Sequence, residues 1–113
     1  MSVETFTPDN LIASGYPIET QEETFLAGEV VERGHVLGRV TASGKIRVSK
    51  TANADGSEVP VEVAVVDIDA SAGDVVGPAY KSGGFRTSEL KLGTGHTAAS
   101  IRAAFDGSAI ILK

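Results

Sequence analysis

Apolar and polar positions alternate along the chain from residue 24 onward, which is the pattern of short β-strands with one buried face. The longest run is a set of valines two residues apart, Val59, Val61, Val63 and Val65. Ile46 and Val48 show the same spacing, and residues 25–40 form short apolar stretches separated by glycines. Together these stretches predict a mainly β domain.

Glycine and proline mark the predicted turns. Asp55-Gly56 predicts a tight turn, because glycine readily adopts the positive φ that such turns need. Gly77-Pro78 is expected to interrupt the strand that begins at Val75, at an edge or a bulge, since proline donates no ladder hydrogen bond. Gly83-Gly84 is expected to form a turn that leads into Phe85, whose side chain we expect to be buried.

One short helix is predicted near the end of the sequence. Thr97 can cap its first turn, and Ile101 and Phe105 lie four residues apart on one face. Gly107 suits the left-handed position that closes a helix. A helix this short is stable only when it is docked, so Ile101 and Phe105 are expected to face the core. The apolar run at residues 109–112 predicts a last strand.

The first 21 residues differ in texture from the rest. Pro8 and Pro17 block regular ladders, and the apolar side chains follow neither a helix nor a strand period. These apolar residues are Val3, Phe6, Leu11, Ile12, Tyr16 and Ile18. We therefore expect residues 1–21 to form an extended arm that folds onto a partner, and residues 22–113 to form a compact β-rich domain.

Composition narrows the class of protein. The chain has 113 residues, which predicts one domain, and it has no cysteine for disulfides or thiolate metal sites. Its net charge of −5 argues against general nucleic-acid binding, because an acidic surface gains nothing from counterion release. No secretory signal is recognisable, and no stretch approaches the roughly 20 apolar residues of a membrane-spanning helix. We expect neither a nucleic-acid nor a membrane partner.

No catalytic or metal-binding pattern is recognisable. Residues 38–45 have the wrong glycine spacing for a phosphate loop, and residues 67–74 have the wrong spacing for a calcium loop. His35 and His96 have no partner ligands nearby in the sequence and are expected to be exposed loop residues. Glu22 and Glu23 are expected to point to opposite faces of a strand. These observations predict a protein that is not an enzyme and that needs no cofactor or metal.

A carrier domain is one alternative to a purely structural protein. Biotinyl and lipoyl carriers also use valine-rich strands with glycine turns, and they present a modified lysine at a hairpin tip. Lys45 follows Ser43-Gly44 and could take that place. The residues that flank the modified lysine in such carriers are absent here, so the ordinary interpretation of Lys45 is a charged turn residue.

Several short motifs resemble the lambda-type bacteriophage head decoration protein (protein D) family. The opening Glu4, Thr5, Phe6 and Thr7 is one of them. The others are residues 34–38, Asp55-Gly56, residues 80–85 and the finish at residues 101–112. The order and spacing of these motifs carry the resemblance over most of the chain.

The resemblance implies a β-clip-like or barrel-like fold with one short C-terminal helix. It implies a homotrimer on the outside of an expanded phage head, at three-fold and quasi-three-fold positions, where it stabilises the shell against the pressure of packaged DNA. Its partner would be the major capsid protein. The protein would be made in the host cytoplasm and carried on the virion.

The resemblance also implies where the capsid is bound. The N-terminal arm is expected to add a strand to a sheet edge of the major capsid protein. The residues assigned to this contact are Glu4, Thr5, Phe6, Thr7, Leu11, Ile12 and Tyr16. A β-domain of a phage tail or baseplate is the alternative within structural virion proteins.

Overall fold

The computed structural model describes residues 10–13 and 15–113. Its strands are β1 (Ile12–Ala13), β2 (Glu19–Phe25), β3 (Val30–Val31), β4 (Val36–Arg39), β5 (Ile46–Val48), β6 (Pro60–Ala64), β7 (Ile68–Asp69), β8 (Val75–Phe85) and β9 (Ile110–Leu112). The helix α1 spans Ala98–Phe105, and a single 3-10 turn spans Thr87–Glu89. None of the helical segments in the described residues has the length and apolar character needed to cross a membrane.

Five strands close into a barrel-like sheet. Strand β8 pairs with β2, β2 with β5, β5 with β4, β4 with β6, and β6 returns to β8. Strands β1 and β9 extend the far end of β8 on its two sides, while β3 and β7 form a separate two-stranded ribbon. The predicted mainly β, barrel-like fold with one short C-terminal helix is confirmed.

Successive residues of a strand point to opposite faces of the barrel wall, and each face carries a cluster of buried residues. On β4, Val36 packs outside the barrel and Leu37 packs inside it. The barrel core consists of Phe25, Val31, Leu37, Ile46, Val48, Ala64, Ile68, Ala70 and Ala79. The outer core consists of Leu11, Val36, Val63, Tyr80, Phe85, Leu90, Ile101, Phe105 and Ile110. The outer core lies between the wall and α1.

The helix α1 and the turn at Asp55-Gly56, called the central turn here, match their predictions. Thr97 accepts a hydrogen bond from the amide of Ser100, whose side chain in turn accepts from the Thr97 amide, and this reciprocal pair starts α1. Ile101 and Phe105 are both buried. At the central turn, hydrogen bonds from the hydroxyl and amide of Ser57 lower the pKa of Asp55 to about 2.

The valine run forms a strand only in part: β6 spans Pro60–Ala64, so Val61 and Val63 lie in it and Val59 and Val65 lie outside it. Val63 is fully buried in the outer core, where α1 covers it. Val59 and Val61 lie at the start of the run and remain exposed. Because Val63 faces the outer core, the residue before it, Glu62, points into the barrel, opposite Leu37 and at one end of the barrel.

The predicted interruption of the strand at Gly77-Pro78 is wrong. Strand β8 runs without a break for 11 residues, and Pro78 pairs with Glu22 of β2. The pairing of β8 with β6 covers only Ala79 and Tyr80. Among the described residues, β2 is thus the one strand beside Pro78, so the missing amide hydrogen of Pro78 costs no ladder bond on the other side.

The predicted turn at Gly83-Gly84 is also wrong. Both glycines lie within β8 and pair with β9, and Gly84 also pairs with β1 on the other side. Gly83 has a φ of +141°, and a side chain at Gly84 would collide with the ring of Tyr16. The glycines permit the close approach of neighbouring chain segments and not a reversal of direction. Phe85 is fully buried, as predicted.

Candidate functional site

The residues assigned to capsid binding fall into two groups. Glu4, Thr5, Phe6 and Thr7 lie outside the described residues. Leu11, Ile12 and Tyr16 are described: Ile12 and Tyr16 lie beside Phe85 and Gly84 at the end of β8, and the Leu11 carbonyl accepts from the amide of Arg86, the next residue. We call residues 10–13 the arm root, because they join the predicted arm to the domain.

The arm root is attached to the domain by a buried side chain and a short strand. Leu11 is 2% exposed and belongs to the outer core, with its methyl groups close to Gly34. Ile12 pairs with Phe85 in β1, and its half-buried side chain packs against the same core. Leu11 therefore serves in this structure as an anchor, with its side chain directed into the protein.

Tyr16 packs across the glycine that the sequence analysis assigned to a turn. Its ring covers Gly84, and Lys113 Nζ lies 5.1 Å from the centre of the ring. This cation–π contact links the arm segment to the last residue of the sequence. Strand β1 and the first three residues of β2 fall within residues 1–21, so part of this segment is paired with β8. The domain boundary at residue 21 stays a prediction.

Arg86 is a residue of this site that sequence reasoning missed. Its guanidinium Nη1 donates to the carbonyl oxygens of Asn10, at 2.9 Å, and Ile12, at 2.7 Å. Its backbone amide donates to the carbonyl oxygen of Leu11, at 2.9 Å. The partners are main-chain atoms about 75 residues away in sequence, so no side-chain pattern could reveal them.

A charged cluster lies at one end of the barrel. The Arg39 guanidinium contacts both carboxylate oxygens of Glu23, at 2.8 and 3.0 Å, and lies 3.6 Å from Glu62 Oε2. Gln21 Nε2 donates to Glu23 at 2.9 Å. Glu23 and Glu62 are 7% and 4% exposed, and Glu62 Oε1 has no hydrogen-bond partner among the described residues.

Burial, together with the neighbouring Glu23 carboxylate, raises the pKa of Glu62 to about 8. Burial acts in the same direction on Glu23, but hydrogen bonds from Arg39 and Glu62 hold the pKa of Glu23 below its usual range. Glu62 therefore binds a proton at a higher pH than an isolated glutamate does. Two such carboxyls occur in acid–base catalysis, but these two are closed off from solvent by the barrel wall and Arg39. In this position the two carboxyls take part in a buried charged cluster with Arg39.

The prediction that both histidines are exposed is wrong, although His96 does lie in a loop beside a glycine turn, as predicted. His35 is half-buried, its Nδ1 accepts from the amide of Glu32 at 2.8 Å, and burial lowers its pKa. His96 joins three segments: its Nε2 lies 3.1 Å from Ser49 Oγ and 3.0 Å from the Glu58 carbonyl, and its Nδ1 contacts Ser100 Oγ. Within residues 10–13 and 15–113, no group of His, Asp and Glu side chains could hold a metal ion.

Lys45 and the acidic loop at residues 67–74 are tied to each other. Lys45 Nζ lies 2.6 Å from Asp74 Oδ2, and Asp74 Oδ1 accepts from the Ala27 amide. Asp69 accepts from the amide and hydroxyl of Ser71. These carboxylates stabilise loops, and Lys45 takes part in an ion pair as a charged turn residue.

Comparison with protein-family models gives a match that covers nearly the whole chain. The chain fits the family model for bacteriophage lambda head decoration protein D over residues 1–112 of its 113 residues. No curated protein matches it. The matched range includes the arm root, the barrel and the C-terminal helix.

Proposed function

Because the chain belongs to the bacteriophage lambda head decoration protein D family, a family of structural capsid proteins and not of enzymes, we propose that it binds the expanded phage head from outside and stabilises it. In this proposal trimers occupy three-fold and quasi-three-fold positions and join neighbouring copies of the major capsid protein. The protein is made in the host cytoplasm and becomes part of the virion. The match over residues 1–112 is the observation that carries the proposal.

The N-terminal arm, residues 1–21, is the proposed capsid-binding element, with Thr5, Phe6 and Thr7 at its centre. Main-chain hydrogen bonds to a sheet edge would supply affinity, and side chains such as Phe6 would fill pockets. Each arm residue that becomes fixed costs about 1–2 kcal/mol of backbone entropy, which these contacts must exceed. Residues 10–13 are held against β8 in this structure, so the strand added to the capsid would come from the residues before them.

A trimer would strengthen this binding by avidity. Once one arm is docked, the other two bind at a high effective concentration, and overall affinity rises without any new kind of contact. A protein that binds only the assembled shell stabilises that shell by mass action. Stabilisation of the head against internal pressure then follows from binding alone, with no chemical reaction.

Co-sedimentation with capsids tests the proposal. We expect saturable binding of the purified protein to expanded, undecorated heads and none to unexpanded heads. Deletion of residues 1–9 should reduce the affinity at least about 100-fold. The matched control is Val76→Ala, which shortens an exposed apolar side chain on β8 and should leave affinity within about twofold.

The outcomes separate the alternatives. Failure of the intact protein to bind either kind of head would contradict the head-decoration proposal. Binding to purified tails instead would favour a tail or baseplate component. Unchanged affinity after deletion of residues 1–9 would leave decoration standing but would remove the arm from it. A mass increase on Lys45 after incubation with a host modifying enzyme would indicate a carrier domain.

A further inference from the structure

We propose that Arg86 is the positioning residue of the capsid-binding arm, because it fixes the arm root at the end of β8. This inference rests on the proposed function. It assigns a role in binding to a residue outside the arm, one that need not touch the capsid.

Arg86 donates hydrogen bonds to three consecutive residues of the arm root. The carbonyl oxygens of Asn10, Leu11 and Ile12 each accept from Arg86, the first and third from Nη1 and the second from the backbone amide. The distances are 2.9, 2.9 and 2.7 Å. Arg86 thus donates hydrogen bonds to the main chain of all three residues before Ala13 in the arm root, residues 10–12.

This attachment is needed because β1 is short. Strand β1 has two residues, paired with Gly84 and Phe85, and so few ladder bonds hold a strand weakly. The buried side chain of Leu11 adds an apolar contact. The guanidinium adds charge-assisted hydrogen bonds, which are stronger than bonds between neutral groups. Arginine suits this role because its fixed, planar set of donors can reach two carbonyls at once.

The location of Arg86 also explains how a pulling force on the arm would be transmitted to the domain. Arg86 directly follows β8, which pairs with β1, β2, β6 and β9. A pull on the arm therefore acts on the strand that has the most neighbours in the sheet. A fixed root also reduces the conformational freedom that the arm loses on binding, and this preorganisation increases affinity.

The test compares Arg86→Gln with Arg102→Gln. Both arginines are exposed, and both donate Nη1 to a backbone carbonyl, which for Arg102 is that of Leu112 in β9. Either substitution removes one of the 10 Lys and Arg residues. The two variants therefore differ in whether the lost contact belongs to the arm root.

Two measurements are made on each variant. Hydrogen exchange of the free protein should be about tenfold or more faster in Arg86→Gln for the amides of residues 11–13 and 86, with the barrel strands unchanged. Affinity for expanded heads should fall about tenfold in Arg86→Gln and stay within twofold in Arg102→Gln. Arg86→Lys keeps the charge but not the planar donors and should give an intermediate affinity.

Each result has a distinct meaning. Faster exchange at the root with unchanged affinity would overturn the positioning role and leave the proposed function intact. Unchanged exchange would show that Arg86 does not hold the root, and would also overturn the inference. Failure of the unmodified protein to bind expanded heads would overturn the proposed function together with this inference. If Arg86→Gln does not fold, Arg86→Lys against Arg102→Lys gives the same comparison.

Discussion

The barrel core and the outer core are built from different parts of the chain. Every buried member of the barrel core lies between Phe25 and Ala79. The outer core instead includes Leu11 from the arm root and Ile110 from the last strand, together with the helix residues Ile101 and Phe105. The barrel core is thus completed by the central segment alone, whereas the outer core joins both ends of the described chain to the barrel wall.

The two cores also differ in their polar contacts. The barrel core ends at the charged cluster of Glu23, Arg39 and Glu62, which lies at one end of the barrel. In the outer core, Tyr80 packs against Phe85 with ring centres 5.2 Å apart, and the Tyr80 hydroxyl accepts from the Arg33 guanidinium. Strand β8 contributes to both cores, since Ala79 points inward and Tyr80 outward. Substitutions in the outer core should therefore destabilise the arm root before they destabilise the barrel.

Loss of a large side chain from the barrel core should have the largest effect. Phe25 is fully buried where β2 meets β5 and β8, so Phe25→Ala should lower the free energy of unfolding by about 3–5 kcal/mol. Val76→Ala on the exposed side of β8 is the control and should cost less than about 0.5 kcal/mol. Chemical denaturation measures both values. A loss below about 1 kcal/mol for Phe25→Ala would contradict the central role of the barrel core.

The corresponding change in the outer core should be smaller and more local. Phe105→Ala removes a buried ring from the last position of α1 and should cost about 3 kcal/mol, the lower end of the range for such a loss. Hydrogen exchange should then rise in α1, in β9 and at the arm root, because Leu11 and Ile110 share this cluster, while β5, which contributes only to the barrel core, stays protected. Equal acceleration across all strands would show that the two cores unfold as one unit.

The smallest predicted effect is a pH dependence at the charged end of the barrel. The folded state keeps the Glu62 proton up to a pKa of about 8, whereas the unfolded state loses it near the ordinary value of 4.5. Between these values the folded state binds more protons, so the contribution of Glu62 to stability falls as pH rises from about 5 to 8. Glu62→Gln mimics the protonated form and should gain about 1–3 kcal/mol relative to the unmodified protein over this range.

Glu23→Gln is the matched control, with the opposite sign. The lowered pKa of Glu23 means that its contribution is present above the ordinary value of 4.5 and is lost as pH falls. Glu23→Gln should therefore be less stable than the unmodified protein at neutral pH, since Arg39 loses its bidentate partner. Thermal unfolding between pH 5 and 8 compares the three proteins. Parallel pH profiles for Glu62→Gln and the unmodified protein would rule out a buried proton on Glu62.

The parts of the fold that depend on nearby residues could be predicted from the sequence. Thr97, Ile101 and Phe105 specify the start and the buried face of α1 within nine residues, and the structure confirms them. Ile46 and Val48 likewise form the predicted strand, because their alternation directly reflects one buried face.

The parts that depend on distant partners could not be predicted. Pro78 is compatible with a continuous β8 because β6 pairs with only two residues of that strand. The residues around Pro78 do not reveal how far β6 extends. Gly84 lies in a strand because β1 pairs with it and the ring of Tyr16 packs over it, and both come from the N-terminal part of the chain. Arg86 is invisible as a site residue for the same reason, since its acceptors are main-chain carbonyls of the arm root.

The role in head decoration can be examined by electron cryo-microscopy of expanded heads incubated with the protein. We expect density for the barrel domain on the outer surface at three-fold and quasi-three-fold positions. We also expect the arm, which precedes β1, to add a strand to a sheet edge of the major capsid protein. Heads without added density, or density confined to the tail, would contradict a role in head decoration.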